Sequence, residues 1–347
     1  MPAFSVAETD RLGGRHAYNR CMKASLLVVT MSILATSVGA QSVERLPDAT
    51  RSADWPLVLI VPFSPGGSAD RVSRIIASSF AESLHRNMTV RYMPGGLGME
   101  GLAAVAKPAQ GEIRLGYATN TQVVPGALLS KSATINPGED FDWIGVAGTF
   151  GGALVVGPAE RAGTFELWLK DVPQRARPLR LGVGAPGSMS MLAAQFLGET
   201  LGGHVEIVNF LSADAAYAAL RRGEIDANID GLPNALEEAP MISARILAVS
   251  SKDRAAAIPD VPAFGERWPG EDYSTFVAIV AAKIESEAVR GRLKSGWYGI
   301  NRAGTARKEL TAVGITYLGL DLDAAAAYAE REILRHAKLL TRFGRPR

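Results

Sequence analysis

One pattern occurs twice in this chain, and it restricts the fold more than any other. Leu57-Val58-Leu59-Ile60-Val61 is uninterrupted apolar sequence, as a strand of a parallel sheet covered on both faces requires. It leads through Ser64-Pro65-Gly66-Gly67-Ser68-Ala69-Asp70 into Val72, Ile75, Ile76, Phe80 and Leu84, whose three- and four-residue steps predict one apolar helix face. Residues 179–184 lead in the same way through Ala185-Pro186-Gly187-Ser188-Met189-Ser190 into a helix with Leu192 and Phe196 on its apolar side. Each copy is a strand, a Pro-Gly turn, a serine at the cap position and a helix. Two such copies predict two similar lobes. The alternative is coincidence between two ordinary strand-to-helix loops, where Gly and Ser are common.

Other short apolar runs predict strands at Thr89–Tyr92, Arg114–Thr119, Trp143–Ala147, Ala153–Val156, Arg180–Val183, Val205–Phe210, Ala227–Asp230, Arg245–Ser250 and Phe276–Val280. Ser212 can cap a helix that ends at Arg221-Arg222-Gly223, and a last helix is expected from Asp321 to about Phe343. Strand–helix alternation of this kind means α/β with mainly parallel sheets in Rossmann-like lobes. The 347 residues, 47% of them hydrophobic, suffice for two cores.

The one long apolar run, Ala24 to Ala40, follows Lys23 and ends in Val38-Gly39-Ala40. It is shorter than the ~20 residues of a spanning helix and has the form of a secretory leader, cut after Ala40. Residues 1–21 then read either as an over-long start assignment or as an extended n-region; an uncleaved anchor is the other reading of the run. Removing residues 1–40 takes away four basic and two acidic residues, leaving 33 of each, and takes the only cysteine. The exported chain is therefore neutral, with no disulfide and no thiolate ligand or nucleophile. Neither bulk charge nor any Lys/Arg block supports nucleic-acid binding.

The glycine loops favour anions. A helix N-terminus presents unpaired N–H groups and a partial positive charge, and Gly66-Gly67 lets a ligand approach the backbone without a Cβ in the way. Gly187, Ser188 and Ser190 offer the same on the second loop, so a carboxylate or phosphate is held there without an arginine. Such loops at strand C-termini are where open α/β sheets bind ligands. Asp70 reads either as a first-turn acid suited to the helix dipole or as a partner for a ligand amine or hydroxyl. Gly96-Leu97-Gly98-Met99-Glu100-Gly101 fits G-x-G-x-x-G but lacks the acid expected about 20 residues on, so no dinucleotide or other cofactor is expected. His85, His204 and His336 lie far apart with no metal-ligand spacing, so no metal is expected.

Val61-Pro62-Phe63-Ser64-Pro65-Gly66-Gly67-Ser68-Ala69-Asp70 resembles the opening signature of the Bug receptors, the extracytoplasmic solute-binding proteins of tripartite tricarboxylate transporters. Pro94-Gly95-Gly96-Leu97-Gly98, Glu139-Asp140-Phe141, Gly187–Leu192, Leu220–Asp226, Leu247–Ser250 and Arg254–Pro262 continue the likeness in order, over roughly residues 55–265. The resemblance implies a two-lobe, hinge-closing protein of the periplasmic-binding type that performs no catalysis. It implies a carboxylate ligand held between the lobes by Phe63, Ser64, Gly66, Gly67, Ser68, Ala69 and Asp70 of one lobe and Ser188 and Ser190 of the other. Thr119, Asn120 and Asp230 are further candidates. The lobes are expected at 41–147 plus 253–347 and at 148–252, with crossings near 147–153 and 250–258.

Several positions depart from the family's pattern. Tyr92-Met93, Met99, Met191, Phe210-Leu211-Ser212 and Ala281–Glu285 replace its usual polar or turn-forming residues. Adaptable apolar groups at those places suggest a carboxylate with an apolar or aromatic body, unless they face the core. The expected partners are that ligand and either membrane permease subunits or a membrane sensor, with the protein a periplasmic monomer. An exported α/β hydrolase on an anionic substrate is the other class, but no spacing supplies its nucleophile and base.

Overall fold

The computed structural model describes residues 54–107, 109, 111–127, 135–284 and 286–343. The expected leader and Cys21 lie outside the described residues.

The first lobe begins with β1 (Leu57–Val61), buried along its whole length. It pairs in parallel with β2 (Met88–Tyr92) and β3 (Ile113–Ala118). Between β1 and β2 runs α1 (Ser68–Leu84), which buries Val72, Ile76 and Phe80 against the sheet; α2 (Met99–Ala106) leads into β3. The apolar spacing of α1 thus becomes a packed face, and His85, in the left-handed region at φ 51°, ends the helix.

β4 (Phe141–Phe150) then carries the chain out of the first sheet, and β5 (Gly152–Val156) carries it into a second. There β6 (Leu179–Val183), α4 (Met189–Thr200), β7 (Val205–Asn209), α5 (Ala213–Arg222), β8 (Ala227–Gly231), α6 (Leu232–Met241) and β9 (Arg245–Val249) complete the second lobe, with α3 (Phe165–Asp171) ahead of β6. The return runs through α7 (Phe264–Arg267) to β10 (Thr275–Ala282), followed by α8 (Glu287–Ala303), α9 (Thr305–Ala312), β11 (Thr316–Asp321) and α10 (Leu322–Phe343). The sheet orders are β11-β4-β10-β3-β1-β2 and β7-β6-β8-β5-β9.

The two-lobed α/β architecture is as expected, but the sheets are mixed rather than mainly parallel. β1–β3 are parallel, as are β6 with β7 and β8, whereas β10, β11, β5 and β9 make antiparallel pairs. The reason is topological. β1, β3, β6 and β8 run toward the interlobe cleft and carry its loops. A strand that brings the chain into a sheet from the cleft, such as β5 or β10, must run the other way.

The crossings are pinned to each other. Gly152 N donates to Ser250 Oγ at 2.8 Å and Ser250 N donates to Gly152 O at 2.7 Å. A Cβ on Gly151 would lie 2.9 Å from Ser251 N, so only glycine allows this approach. Residues 253–273, expected with the first lobe, lie against the second here. Phe264 stacks on Phe165 with centroids 5.5 Å apart and also packs on Phe196 and Trp268. α10 touches both lobes: Ala325 and Ala329 are buried in a core shared with Val146 of β4, while Arg342 reaches Glu199 of α4 at 3.9 Å.

A candidate ligand site between the lobes

A cavity of about 310 Å³ lies between the lobes. Both copies of the strand–turn–helix pattern open onto it.

On the first lobe, Gly66 adopts φ +93°, a left-handed value that glycine accepts without strain. Its N–H donates to Asp70 Oδ2 at 2.8 Å. Asp70 also accepts from Arg74 Nε at 2.6 Å and from Tyr92 OH at 2.5 Å. Burial would raise the Asp70 carboxyl, but the bonds from Tyr92, Gly66 and Arg74 outweigh it and hold the group below its ordinary range. Asp70 therefore braces the loop from behind and does not line the cavity, contrary to expectation. Gly67 is the N-cap of α1 and supplies no side-chain cap. A Cβ on Gly67 would meet nothing within 4 Å, so its backbone is open to the cleft.

Ser68, expected to cap its own helix, is the first helical residue instead, and its hydroxyl crosses to the other lobe. Its Oγ accepts from Asn234 N at 3.1 Å and donates to Gly231 O at 3.4 Å. α6 starts after Gly231 and has no side-chain cap of its own. Asn234 is its third residue, whose N–H an N-cap side chain would normally satisfy. Ser68 thus caps a helix of the opposite lobe.

On the second lobe, Ser188 caps α4 conventionally, accepting from Met191 N at 3.3 Å. Ser190 lines the cavity beside it. Phe63, Ser64, Ala69, Thr119 and Asp230 also line the cavity, so most of the expected residues converge. Asn120 does not: its Oδ1 accepts from Phe276 N at 2.8 Å and its side chain holds the start of β10. Thr119 keeps its hydroxyl on Gln122 Oε1 at 2.7 Å. Asp230 accepts from Gly231 N at 2.7 Å and from Asn234 Nδ2 at 2.6 Å. Burial pushes its carboxyl up, opposed by those two bonds, Tyr217 and the charge of Arg71.

Four helix N-termini, those of α1, α4, α5 and α6, meet at this cavity. No Lys, Arg or His is among the described residues that line it. The third loop, Phe210 to Asp214, was not among the expected ligand residues, although Phe210-Leu211-Ser212 was noted as an apolar departure and Ser212 was legible as the cap of α5, where it accepts from Ala215 N at 3.3 Å. Nor were Tyr117 and Phe150. Tyr117 shares a face with Thr119 by the two-residue period of the strand expected over Arg114–Thr119, which was the available signal. Met99 and Met191 are 1% and 7% exposed and pack in the core, so they are not cleft residues. The apolar wall comes from Phe63, Phe150, Phe210 and Leu211, the last fully exposed at 108%.

Residues 72–344 match the family described as Tripartite tricarboxylate transporter family receptor. The chain belongs to this family. The match extends through the C-terminal third, where the motifs alone were weak. Among similar proteins, BugT of Bordetella pertussis is 27% identical over 66% of this chain and 71% of its own. An Agrobacterium vitis protein from the ttuE-ttuC' intergenic region is 25% identical over 91% of both chains. Of solved structures, periplasmic binding protein BugD superposes with TM-score 0.73 at 20% identity, covering 84% of this chain and 98% of that one. An R. palustris protein solved with adipate has TM-score 0.74 at 22% identity, with the same coverage of 84% and 98%. At these identities the likeness establishes the fold, that of a two-lobed periplasmic binding protein. This receptor therefore has the family's architecture.

Proposed function

We propose that this receptor captures a small carboxylate with an apolar or aromatic body in the interlobe cleft and delivers it to membrane permease subunits. It acts in the periplasm as a monomer after removal of residues 1–40, and it does not turn its ligand over. The observation that carries the reading is the meeting of four helix N-termini and the Gly66-Gly67 backbone at one cavity without a basic side chain. Helix ends and exposed amides hold an anion by fixed dipoles, and a neutral chain has no other attraction to offer. That adipate and malate are the ligands in two structurally similar proteins supports a carboxylate. Phe63, Phe150, Phe210 and Leu211 support an apolar body, because Leu211 gains burial only when something covers it.

The test is mass spectrometry of the small molecule released when the purified protein is unfolded, followed by a thermal-shift screen of carboxylates. A true ligand at 100 times its Kd adds about 2.7 kcal/mol. Gly67→Val should abolish that shift while leaving the unliganded melting temperature near wild type, since its Cβ meets nothing in the protein. Unaltered affinity in Gly67→Val rules out the loop as the site. Stabilisation by small hydrophilic di- and tricarboxylates alone rules out the apolar body.

A further inference from the structure

The cleft's charges are arranged unevenly. Of the four helix N-termini, α4 has no acid in its first turn. The other two in the second lobe are each accompanied by one: Asp214 in the first turn of α5, and Asp230 one residue ahead of the α6 N-cap. These two are the only ionisable acids among the described residues lining the cavity. Asp214 is exposed and has no ion pair. Asp230 keeps both oxygens as acceptors, toward Gly231 N and Asn234 Nδ2, although burial pushes its carboxyl up. Arg71, whose charge reaches Asp230, is itself paired with Glu237 and, at 3.8 Å, Glu238. A second, independent feature lies on the first lobe. Tyr117 is fully buried, lines the same cavity, and its hydroxyl has no hydrogen-bond partner. A buried hydroxyl left unpaired is costly, so a polar atom of the ligand belongs there.

We infer that the ligand is a monocarboxylate whose far end carries a hydrogen-bond donor, in the first instance a protonated amine, and is not a dicarboxylate. The carboxylate lies on the Gly66-Gly67 loop and the α4 N-terminus, within reach of the Tyr117 hydroxyl. The donor end lies toward Asp214 and Asp230. A second carboxylate at that end would face two acidic side chains in a partly desolvated space, whereas an ammonium group would gain charge-assisted hydrogen bonds. This rests on the carboxylate reading above and adds the polarity of the other end.

Matched skeletons test it. Isothermal titration at neutral pH would compare hexanoate, adipate and 6-aminohexanoate, and likewise 4-methylbenzoate, terephthalate and 4-(aminomethyl)benzoate. Within any skeleton that binds, the aminocarboxylate should exceed the dicarboxylate in affinity by about tenfold or more. Asp214→Asn, at an exposed unpaired position, and Asp230→Asn should each narrow that gap, and Tyr117→Phe should weaken all binding members several-fold. A dicarboxylate binding as tightly as its amino counterpart overturns the inference and leaves the carboxylate reading standing. So does a preference that neither aspartate variant changes. If no carboxylate of either skeleton binds, both fail together.

Discussion

The hydroxyl of Ser68, at the start of α1, accepts a hydrogen bond from the backbone N–H of Asn234, the third residue of α6, at 3.1 Å. One side chain therefore lines the ligand cavity and caps a helix of the opposite lobe. Three residues further along α1, Arg71 continues the contact by pairing with Glu237 and Glu238. Lobe apposition and the geometry of the first ligand loop are thus linked through α1. Ser68→Ala should uncap α6 at a cost of about 1 kcal/mol. The lobes should also separate more readily. Small-angle scattering of the unliganded variant should show a larger radius of gyration than wild type, and ligand affinity should fall several-fold.

Asp70 is the clearest case of a motif residue whose role is support. Its carboxylate ties Gly66 N–H, Arg74 and Tyr92 together behind the loop. Asp70→Ala should lower ligand affinity by about tenfold although the side chain does not line the cavity. The lowered carboxyl has a further consequence. Its folded-state value lies below the ordinary one, so its stabilisation is present at neutral pH and is lost as pH falls below about 3.8 through the lower folded value. Acid titration of the melting temperature should show a shallower loss below that pH in Asp70→Ala than in wild type.

The ligand loops were legible because glycine and the helix cap leave marks in the sequence. Gly66 needs its positive φ, Ser188 and Ser212 are true caps, and the apolar faces of α1 and α4 keep their spacing. What could not be read depends on the meeting of the lobes. Nothing local to Ser68 marks it as the cap of a helix more than 160 residues away, and nothing local to Asp214 marks it as a cleft residue. Likewise, methionine spacing cannot separate a core filler from a cleft wall, and Met99 and Met191 proved to be the former. β11 was missed for a different reason: it is an edge strand, half-exposed along its length, with a register shift between Tyr317 and Leu320.

The return segment is anchored by aromatics. Phe264 is fully buried, stacked on Phe165 at 5.5 Å and edge-on to Trp268 at 5.4 Å. Phe264→Ala should cost about 3–5 kcal/mol, the range for a buried aromatic removed from a packed core. Chemical denaturation should show it as a lower midpoint. Because the segment leads directly into β10, the loss should also expose the amides of that strand to hydrogen exchange.

The C-terminal helix makes one polar contact with the second ligand loop. His336 Nε2 lies 2.8 Å from Gly187 O, and since a carbonyl only accepts, Nε2 carries the proton. The other ring nitrogen, Nδ1, is buried without a partner. Protonating it would place a charge in the core, so burial holds the imidazole down at about 4, against the bond to Gly187, with the charge of Arg335 adding to the depression. The unfolded chain takes up its proton near 6.5. Between those values the unfolded state binds more protons than the folded one, so stability rises with pH across the window. It is full above about pH 6.5 and declines on acidification, by about 3 kcal/mol when the pH reaches 4. His336→Gln retains an N–H donor for Gly187 and removes the titration. Urea midpoints measured from pH 7 to pH 4 should therefore fall more steeply for wild type than for His336→Gln. Parallel slopes in the two proteins would mean that the imidazole is already charged in the folded state.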